Sequence, residues 1–325
     1  MHRSLLVVAL LLPGVPVLAQ VVRTADVTVR GLTADDFPRI KKLADNIYAY
    51  EDLAGPTTGN TAFTTNSLII VTREGVVVAD GQANERQTKR LVDEIAKITP
   101  LPIKYVVIGA DHADHIGGNA AFPPGVIFIA HPASKAVIER MAAGRAGGAG
   151  RGAAPGGGRG PIPIPQETVA DKRILKLGDT EMQILFLGRA HTGGDLELFL
   201  PRENIMWMSE VFFNRLYPSV GGGFTAFPSE WIETIKKAEA MKAALYVPNH
   251  GFVDSPQVLN EEIVNFRRAL ENVVSEAKRL HTAGVPLEVA YRSVNLGEFQ
   301  YWYRAANNMP DVVRKVYVEE EGRER

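Results

Sequence analysis

A short polar stretch lies in the first half of the chain: Gly109-Ala110-Asp111-His112-Ala113-Asp114-His115-Ile116-Gly117-Gly118-Asn119. It follows the apolar run 105–108, which is typical of a buried strand. Two imidazoles and two carboxylates fall within the five residues from Asp111 to His115. Metal ligands are often presented in this way, in a loop at the carboxyl end of a strand. The alternative interpretation is an ordinary polar surface loop.

Two further histidines also follow predicted strands. His191 comes directly after the predicted strand 182–187, and His250 follows the short strand 244–246. One such histidine alone would fit a capping or core role, but four at the ends of successive strands predict a metal site. His131 and His281 lack this context and are interpreted as structural. Imidazole and carboxylate ligands without thiolates favour zinc, with iron or manganese as alternatives.

Composition excludes several classes of protein. The chain has 325 residues, of which 46% are hydrophobic, so it can bury a large core as one big domain or two small ones. The net charge is −1 with both signs interspersed, which argues against binding to nucleic acid or to an anionic membrane. There is no cysteine, so disulfides, thiolate ligands and cysteine nucleophiles are excluded.

The first 19 residues have the pattern of an export signal. His2 and Arg3 precede an apolar stretch from Leu5 to Leu12, and Ala19 ends a small-residue cleavage site. We therefore predict a signal peptide over residues 1–19 and a periplasmic or secreted mature protein. An uncleaved anchor is the alternative. No later segment has the composition of a transmembrane helix.

Hydrophobic periodicity predicts two β-rich halves, each followed by helices. Predicted strands cover 46–50, 67–71, 75–80, 105–108, 126–130, 172–177, 182–187, 196–200 and 205–208. Predicted helices cover 84–98, 134–142, 229–243 and 256–281. Residues 20–284 are expected to form the main domain, and residues 285–325 a helical C-terminal extension. Within the domain, the Gly-rich insertion 143–161 is interpreted either as a flap over the active site or as a plain linker.

In its motifs the chain resembles the metallo-β-lactamase-fold hydrolases, whose central motif is His-x-His-x-Asp-His-x-Gly-Gly. The resemblance runs from about residue 46 to residue 251. The matching positions are, in order, Asp80-Gly81, His112, Asp114, His115, His191 and His250. The fold that this resemblance implies is α+β, an αββα sandwich of two mixed β-sheets flanked by helices, with the metals along one edge of the sheets.

Two departures from the family pattern affect the metal site. Ala110 stands where the first histidine of the central motif belongs. The fourth motif, usually a Gly-Asp whose aspartate bridges two metals, aligns best with Ser209-Glu210. Glutamate keeps the carboxylate but extends it by one methylene.

The resemblance implies two unequal metal positions. One would be held by Asp114, His115 and His250, with an open position for water. The other retains only His112 and His191, with Glu210 as the expected third ligand and Asp111 as its rival. We therefore predict one firmly bound Zn²⁺ and a second that is weak or absent.

The function that the resemblance implies is zinc-dependent hydrolysis of a carbonyl ester, lactone or amide by metal-activated water. The substrate would be a small molecule, and a β-lactam is one candidate. Asp114 would orient the water, while His112 or His191 would act as base or proton donor. One set of aromatic residues is interpreted either as pocket lining or as ordinary core: Trp207, Phe212, Phe213, Tyr217, Phe224 and Phe227.

Two other functions remain open from the sequence. One is an oxidoreductase with a single iron on the same fold. The other is a non-catalytic metal-binding protein, an alternative suggested by the missing histidine at Ala110. The oligomeric state is not predicted.

Overall fold

The computed structural model describes residues 22–54, 62–146, 161–221 and 225–323. The predicted signal peptide, residues 147–160 of the Gly-rich insertion, and Phe224 lie outside these residues. Among the described residues, the chain forms two mixed β-sheets with helices on their outer faces. This is the α+β, αββα architecture expected from the motifs.

Among the described residues, the first sheet has seven strands, which lie side by side in sequence order. They are β1 (Arg39–Ala44), β2 (Ile47–Leu53), β3 (Thr64–Val71), β4 (Val76–Ala79), β5 (Ile103–Val107), β6 (Ile127–Ala130) and β7 (Glu167–Thr168). Strands β1 to β4 pair antiparallel, whereas β4 to β7 pair parallel. The parallel pairing gives β4 and β5 a common carboxyl edge.

Within the ranges that the structure describes, the second sheet has five strands in the order β12-β11-β10-β9-β8. They are β8 (Lys172–Leu177), β9 (Thr180–Leu185), β10 (Glu197–Leu200), β11 (Ile205–Trp207) and β12 (Leu245–Val247). Strands β8 to β11 alternate in direction, and β12 runs parallel to β11. Strands β9, β11 and β12 therefore end at the same edge of this sheet.

Helices connect the strands and cover both sheets. They are α1 (Glu85–Ile98), α2 (Ala113–Ile116), α3 (Pro132–Ala146), α4 (Pro228–Ala240), α5 (Pro256–Thr282), α6 (Leu287–Ser293) and α7 (Ala305–Glu320). The side chain of Asn84 accepts a hydrogen bond from the backbone of Gln87 and so caps α1. None of the described helices is long and apolar enough to cross a membrane.

Alternation of side chains in the central strands creates the layers. In β3, Leu68 and Ile70 lie in the core shared with the second sheet, whereas Ile69 lies in the core beneath α1. Leu91 and Ile95 of α1 complete that second core. A strand that is apolar on both faces must be covered on both, so this sheet lies between a helical layer and another sheet.

The long amphipathic helix was predicted correctly. Its apolar stripe is buried along its whole length: Val258, Ile263, Phe266, Leu270, Val273, Val274 and Ala277. Helices α6 and α7 occupy the predicted helical extension and pack on α5, and Val312 and Val316 of α7 belong to the same core cluster. The division of the chain at residue 285 stays a prediction.

Some predicted boundaries differ from the structure. The alternation of residues 46–50 in the sequence is that of an edge strand, but β1 lies outside the corresponding β2, and six of the seven residues of β2 are buried. Helix α3 continues to Ala146, four residues beyond the predicted end, and so includes the start of the Gly-rich insertion. Local alternation does not distinguish an edge strand from a covered one, because the partner strand contributes the burial.

Candidate functional site

The candidate ligands come from loops at one edge of the sandwich. His112, Asp114 and His115 follow β5, and Asp80 directly follows β4, the parallel neighbour of β5. In the second sheet, His191 follows β9, whereas Glu210 and His250 follow β11 and β12. Because these strands end at the same edges of the two packed sheets, residues far apart in sequence meet in one place.

Four side chains form the first donor group: Asp114, His115, Glu210 and His250. The Nε2 atoms of His115 and His250 lie 3.2 Å and 3.1 Å from Oε1 of Glu210. Both nitrogens also lie 3.6 Å from Oδ2 of Asp114. The donor atoms all lie within 4.8 Å of one another, which is close enough for one metal ion to contact them together.

Three side chains form the second donor group: His112, His191 and Glu210. The Nδ1 atom of His112 lies 2.8 Å from Oε2 of Glu210, and Nε2 of His191 lies 3.3 Å from Oε1. Glu210 therefore belongs to both groups: its Oε1 lies near imidazoles of both, and its Oε2 lies near His112. The extra methylene of glutamate places its carboxylate where a bridging ligand would be needed.

Contacts with buried carbonyl oxygens orient two of the imidazoles. Nδ1 of His191 lies 2.9 Å from the carbonyl oxygen of Ser219, and Nδ1 of His250 lies 2.8 Å from that of Thr64. A carbonyl oxygen only accepts hydrogen bonds, so each Nδ1 carries the proton and donates it. Each Nε2 is left with a lone pair directed toward Glu210.

Asp80 supports the site from beneath. Its Oδ1 accepts a hydrogen bond of 2.7 Å from the backbone of Gly109, and its Oδ2 accepts one of 3.0 Å from Asn249. Oδ2 also lies 3.2 Å from Nδ1 of His115. One carboxylate thus holds the start of the central loop, a donor imidazole and the residue preceding His250.

The electrostatics of the site centre on Glu210. Burial by itself would raise the pKa of this carboxyl, but the neighbouring imidazoles, His191 and His112 foremost, hold the pKa well below its usual range. Burial is the largest effect on His112 and lowers its pKa, but the combined effects of Glu210, Asp114 and Asp111 outweigh it and raise the pKa to about 9. For His191, burial dominates and the pKa falls to about 4. Glu210 is thus a charged acceptor surrounded by imidazoles.

The two unusual positions of the central loop differ in their surroundings. Ala110 is completely buried and contributes no donor atom. The side chain of Asp111 belongs to neither donor group, although this residue contributes to the cavity wall. It interacts with Ser134 of α3 instead. The alternative in which Asp111 supplies the missing ligand is therefore not supported by the geometry.

The donor groups open into a cavity of about 480 Å³. Of the six aromatic residues considered from the sequence, Phe213 lines it. Trp207, Phe212 and Tyr217 are buried core residues, and Phe227 contacts Arg189 instead. Sequence patterns do not separate these two roles, because both place large apolar side chains after strands.

Other lining residues were not anticipated. Phe63 packs its ring 5.0 Å from that of His250, and Thr225 Oγ1 lies 3.0 Å from Nε2 of His112. Arg304 and Asn308 reach the cavity from the start of α7, more than fifty residues beyond the last motif. No local pattern marks these positions, since only the packing of α7 brings them to the site.

Comparisons with curated proteins agree with the motifs. The family model described as "Metallo-beta-lactamase superfamily" matches residues 60–250. A metallo-beta-lactamase type 2 from Bacteroides fragilis is 23% identical over 230 residues, which cover 70% of this chain and 85% of the relative. A protein of the same name from Bacillus sp. (strain 170) is 26% identical over 222 residues, covering 68% and 79%.

Solved structures show the same fold. A metallo-beta-lactamase from Pontibacter korlensis aligns with a TM-score of 0.58 and 20% identity, over 71% of this chain and 99% of that one. A double mutant of the sec-alkyl sulfatase PisA1 aligns with a TM-score of 0.69 and 17% identity, over 88% of this chain and 50% of that one. With the motifs in order along both sheets and more than half of its residues matched by the family model, this chain belongs to the metallo-beta-lactamase superfamily.

Proposed function

We propose that this protein is a zinc-dependent hydrolase of a carbonyl ester, lactone or amide. The observation that carries the proposal is the pair of donor groups that share Glu210 at the base of the cavity. β-Lactams are one candidate substrate class, supported by the names of the curated relatives. The identity to those relatives is too low to transfer their substrate to this chain.

The donor atoms fit a metal ion. Nε2 of His115 is buried and forms no hydrogen bond within the described part of the chain. Together with Nε2 of His191 and of His250, it lies 3.1–3.3 Å from a single oxygen of Glu210. Three imidazole nitrogens that converge on one carboxylate, with no thiolate among the donors, suit Zn²⁺ better than a hard oxygen-seeking ion.

The two groups should differ in affinity. The first offers four side chains and the second three, and both counts include Glu210. With both positions filled, Glu210 would have to serve both ions, and the second ion would depend on His112 and His191 for its remaining protein ligands. We therefore propose one firmly bound ion and a second that is weaker.

A divalent ion held there supplies the acidity that makes water a nucleophile near neutral pH, and the positive charge that polarises a carbonyl. Asp114 has a side chain that is 25% exposed, so its carboxylate can hold the attacking water. His112 and His191 are the groups placed to take or return a proton beside it. Phe63 and Phe213 line the same cavity with apolar rings.

The first experiment measures metal content on protein purified without chelators, followed by assays on an ester, a lactone and a β-lactam. We expect zinc and turnover of at least one compound. His250→Ala should abolish both, because it removes one of few protein ligands. His281→Ala is the matched control, since His281 lies outside both donor groups and should leave metal and turnover unchanged.

The other outcomes separate the competing functions. An occupied zinc site with no turnover of any compound would favour a non-catalytic metal-binding protein. A coloured, oxygen-sensitive preparation that contains iron would favour the oxidoreductase. Either result would contradict the hydrolase.

The proposed location is outside the cytoplasm, and it rests on residues 1–19. Expression with this segment, followed by N-terminal sequencing of the exported protein, should find Gln20 first. Retention in the cytoplasm at full length would contradict the proposal.

A further inference from the structure

One wall of the cavity comes from outside the matched family region. Arg304 and Asn308, at the start of α7, line the cavity together with both donor groups. The family model ends at residue 250, so this wall is contributed by the C-terminal part of the chain. The wall therefore lies outside the region that the family model describes.

The structure holds this wall in a defined position. The carbonyl oxygen of Tyr303 accepts a hydrogen bond of 2.9 Å from the backbone of Tyr217, and the hydroxyl of Tyr303 donates one of 2.8 Å to the carbonyl of Ala62. Asn308 donates a hydrogen bond of 2.9 Å to the carbonyl of Tyr217. The residues before and after Arg304 in the chain are therefore held in place by hydrogen bonds.

The backbone of Arg304 is strained. It has φ 62° and ψ 15°, in the left-handed region that a residue with a Cβ rarely adopts. Such conformations persist where the surrounding structure imposes them, and they are frequent at functional sites. Here the strain turns the chain into α7 directly at the cavity wall.

This wall carries a positive charge, whereas the side of the cavity with the donor groups carries the carboxylates. Among the described residues that line the cavity, Arg304 is the only lysine or arginine, whereas Asp111, Asp114 and Glu210 are the carboxylates. Within the ranges that the structure describes, the Arg304 guanidinium makes no ion pair with a carboxylate. Its Cζ instead lies 5.3 Å from the ring centroid of Phe63, which also packs against His250.

We propose that Arg304 binds a carboxylate of the substrate, so that this enzyme prefers esters or amides whose acyl part carries an anionic group. A guanidinium has five donors and a fixed charge, and it recognises carboxylates in a two-point geometry. Phe63 supports the guanidinium from one side through a cation–π contact. The inference rests on the proposed hydrolase function and adds the substrate class.

The test uses two esters that differ only in charge. Mono-4-nitrophenyl glutarate and 4-nitrophenyl pentanoate share a leaving group and acyl length, but only the first carries a carboxylate. For Arg304→Ala we expect kcat/KM to fall about tenfold or more for the glutarate ester and less than about twofold for the pentanoate. Arg304→Lys keeps the charge and should recover part of the loss. Arg292→Ala, an exposed arginine on α6, is the matched control and should change neither rate.

Three results would overturn the assignment. An equal loss on both esters in Arg304→Ala would mean that Arg304 only supports the wall, and no loss on either would mean that it touches no substrate. If the wild-type protein hydrolyses neither ester, the assays on a lactone and a β-lactam decide about the proposed function, and calorimetry with the metal-loaded protein decides about Arg304. Weaker binding of glutarate to Arg304→Ala, with binding of neutral glutaramide unchanged, supports the carboxylate subsite. Equal glutarate affinity of variant and wild type rejects it.

Discussion

Asp80 shows how one buried side chain can organise a site that it does not enter. It lies at the end of β4 with φ 61°, and its two oxygens hold the Gly109 backbone and the Asn249 side chain. It also lies against the ring of His115. Its contribution should therefore appear in metal affinity as well as in stability.

We expect Asp80→Ala to destabilise the metal-free protein by about 2–4 kcal/mol, because it leaves buried donors without their acceptor. Zinc affinity should fall about 10- to 100-fold, since His115 loses the group that orients it. Urea unfolding and competition with a zinc dye measure the two effects. Asp179→Ala, an exposed aspartate paired with Arg73, is the control. Unchanged zinc affinity in Asp80→Ala would contradict the supporting role.

Ala110 determines the number of metal ions in our proposal. Ala110→His would restore the family's donor, and we expect the second zinc to resist dialysis in that variant. Metal content before and after mild dialysis measures this. The wild type should retain one ion and the variant two. If both proteins retain two ions equally, the second donor group binds its zinc ion firmly without this histidine.

Asp195 makes stability depend on pH. Burial, aided by the negative charges of Glu210 and Asp111, raises its pKa from 3.8 to about 8, so the folded state keeps the proton and the unfolded state releases it. The stability that the protonated Asp195 carboxyl contributes is fully present below about pH 4 and is lost as the pH rises toward 8.

Asp195→Asn should remove this part of the pH dependence, because asparagine is always neutral and still offers an oxygen to the backbone of Thr192. We expect its stability to fall less than that of the wild type between about pH 5 and pH 8. Urea unfolding in the presence of a chelator measures the difference. Parallel curves for the two proteins would contradict the prediction.

At the level of elements, α5 supports the second sheet and the site above it. Phe266 is fully buried, and its ring centroid lies 5.4 Å from that of Phe213 and 5.6 Å from that of Trp231. The rings of Phe213 and Trp231 in turn lie against His191. The helix therefore reaches the metal site through one layer of aromatic rings.

We expect Phe266→Ala to cost about 3–5 kcal/mol of stability, because a fully buried ring leaves a cavity. Zinc affinity should fall as well, since Phe213 and Trp231 lose their support against His191. Val264→Ala, on the same helix and 37% exposed, should change stability by no more than about 0.5 kcal/mol. If Phe266→Ala is destabilised but binds zinc as tightly as the wild type, Phe266 supports the core and not the metal site.

At the level of the whole molecule, the donor groups connect the two sheets. Asp114 and His115 follow β5 of the first sheet, whereas Glu210 and His250 follow β11 and β12 of the second. A metal bound to all four should therefore stabilise the sandwich as a unit.

We expect removal of the metal by a chelator to lower Tm by about 5 °C or more while unfolding stays a single transition. Circular dichroism with and without added zinc measures the shift. In His250→Ala the chelator should have no effect on Tm. A chelator-independent Tm in the wild type would mean that the ion does not hold the sheets together.

Most of the strands, the helix α5 and the placement of candidate ligands after strands were predictable, because they depend on residue types at short sequence spacing; β1 and β7 were not predicted. His112, His115, His191 and His250 could be assigned to one site in this way. Contacts between distant segments were decided only by the tertiary structure. These include the carbonyl partners of His191 and His250, the turn of Asp111 toward Ser134, the cover that β1 gives β2, and the arrival of Arg304 at the cavity. The local sequence determines the spacing of apolar residues and the chemistry of the candidate ligands. The direction in which a side chain points depends on partners that the fold brings from elsewhere in the chain.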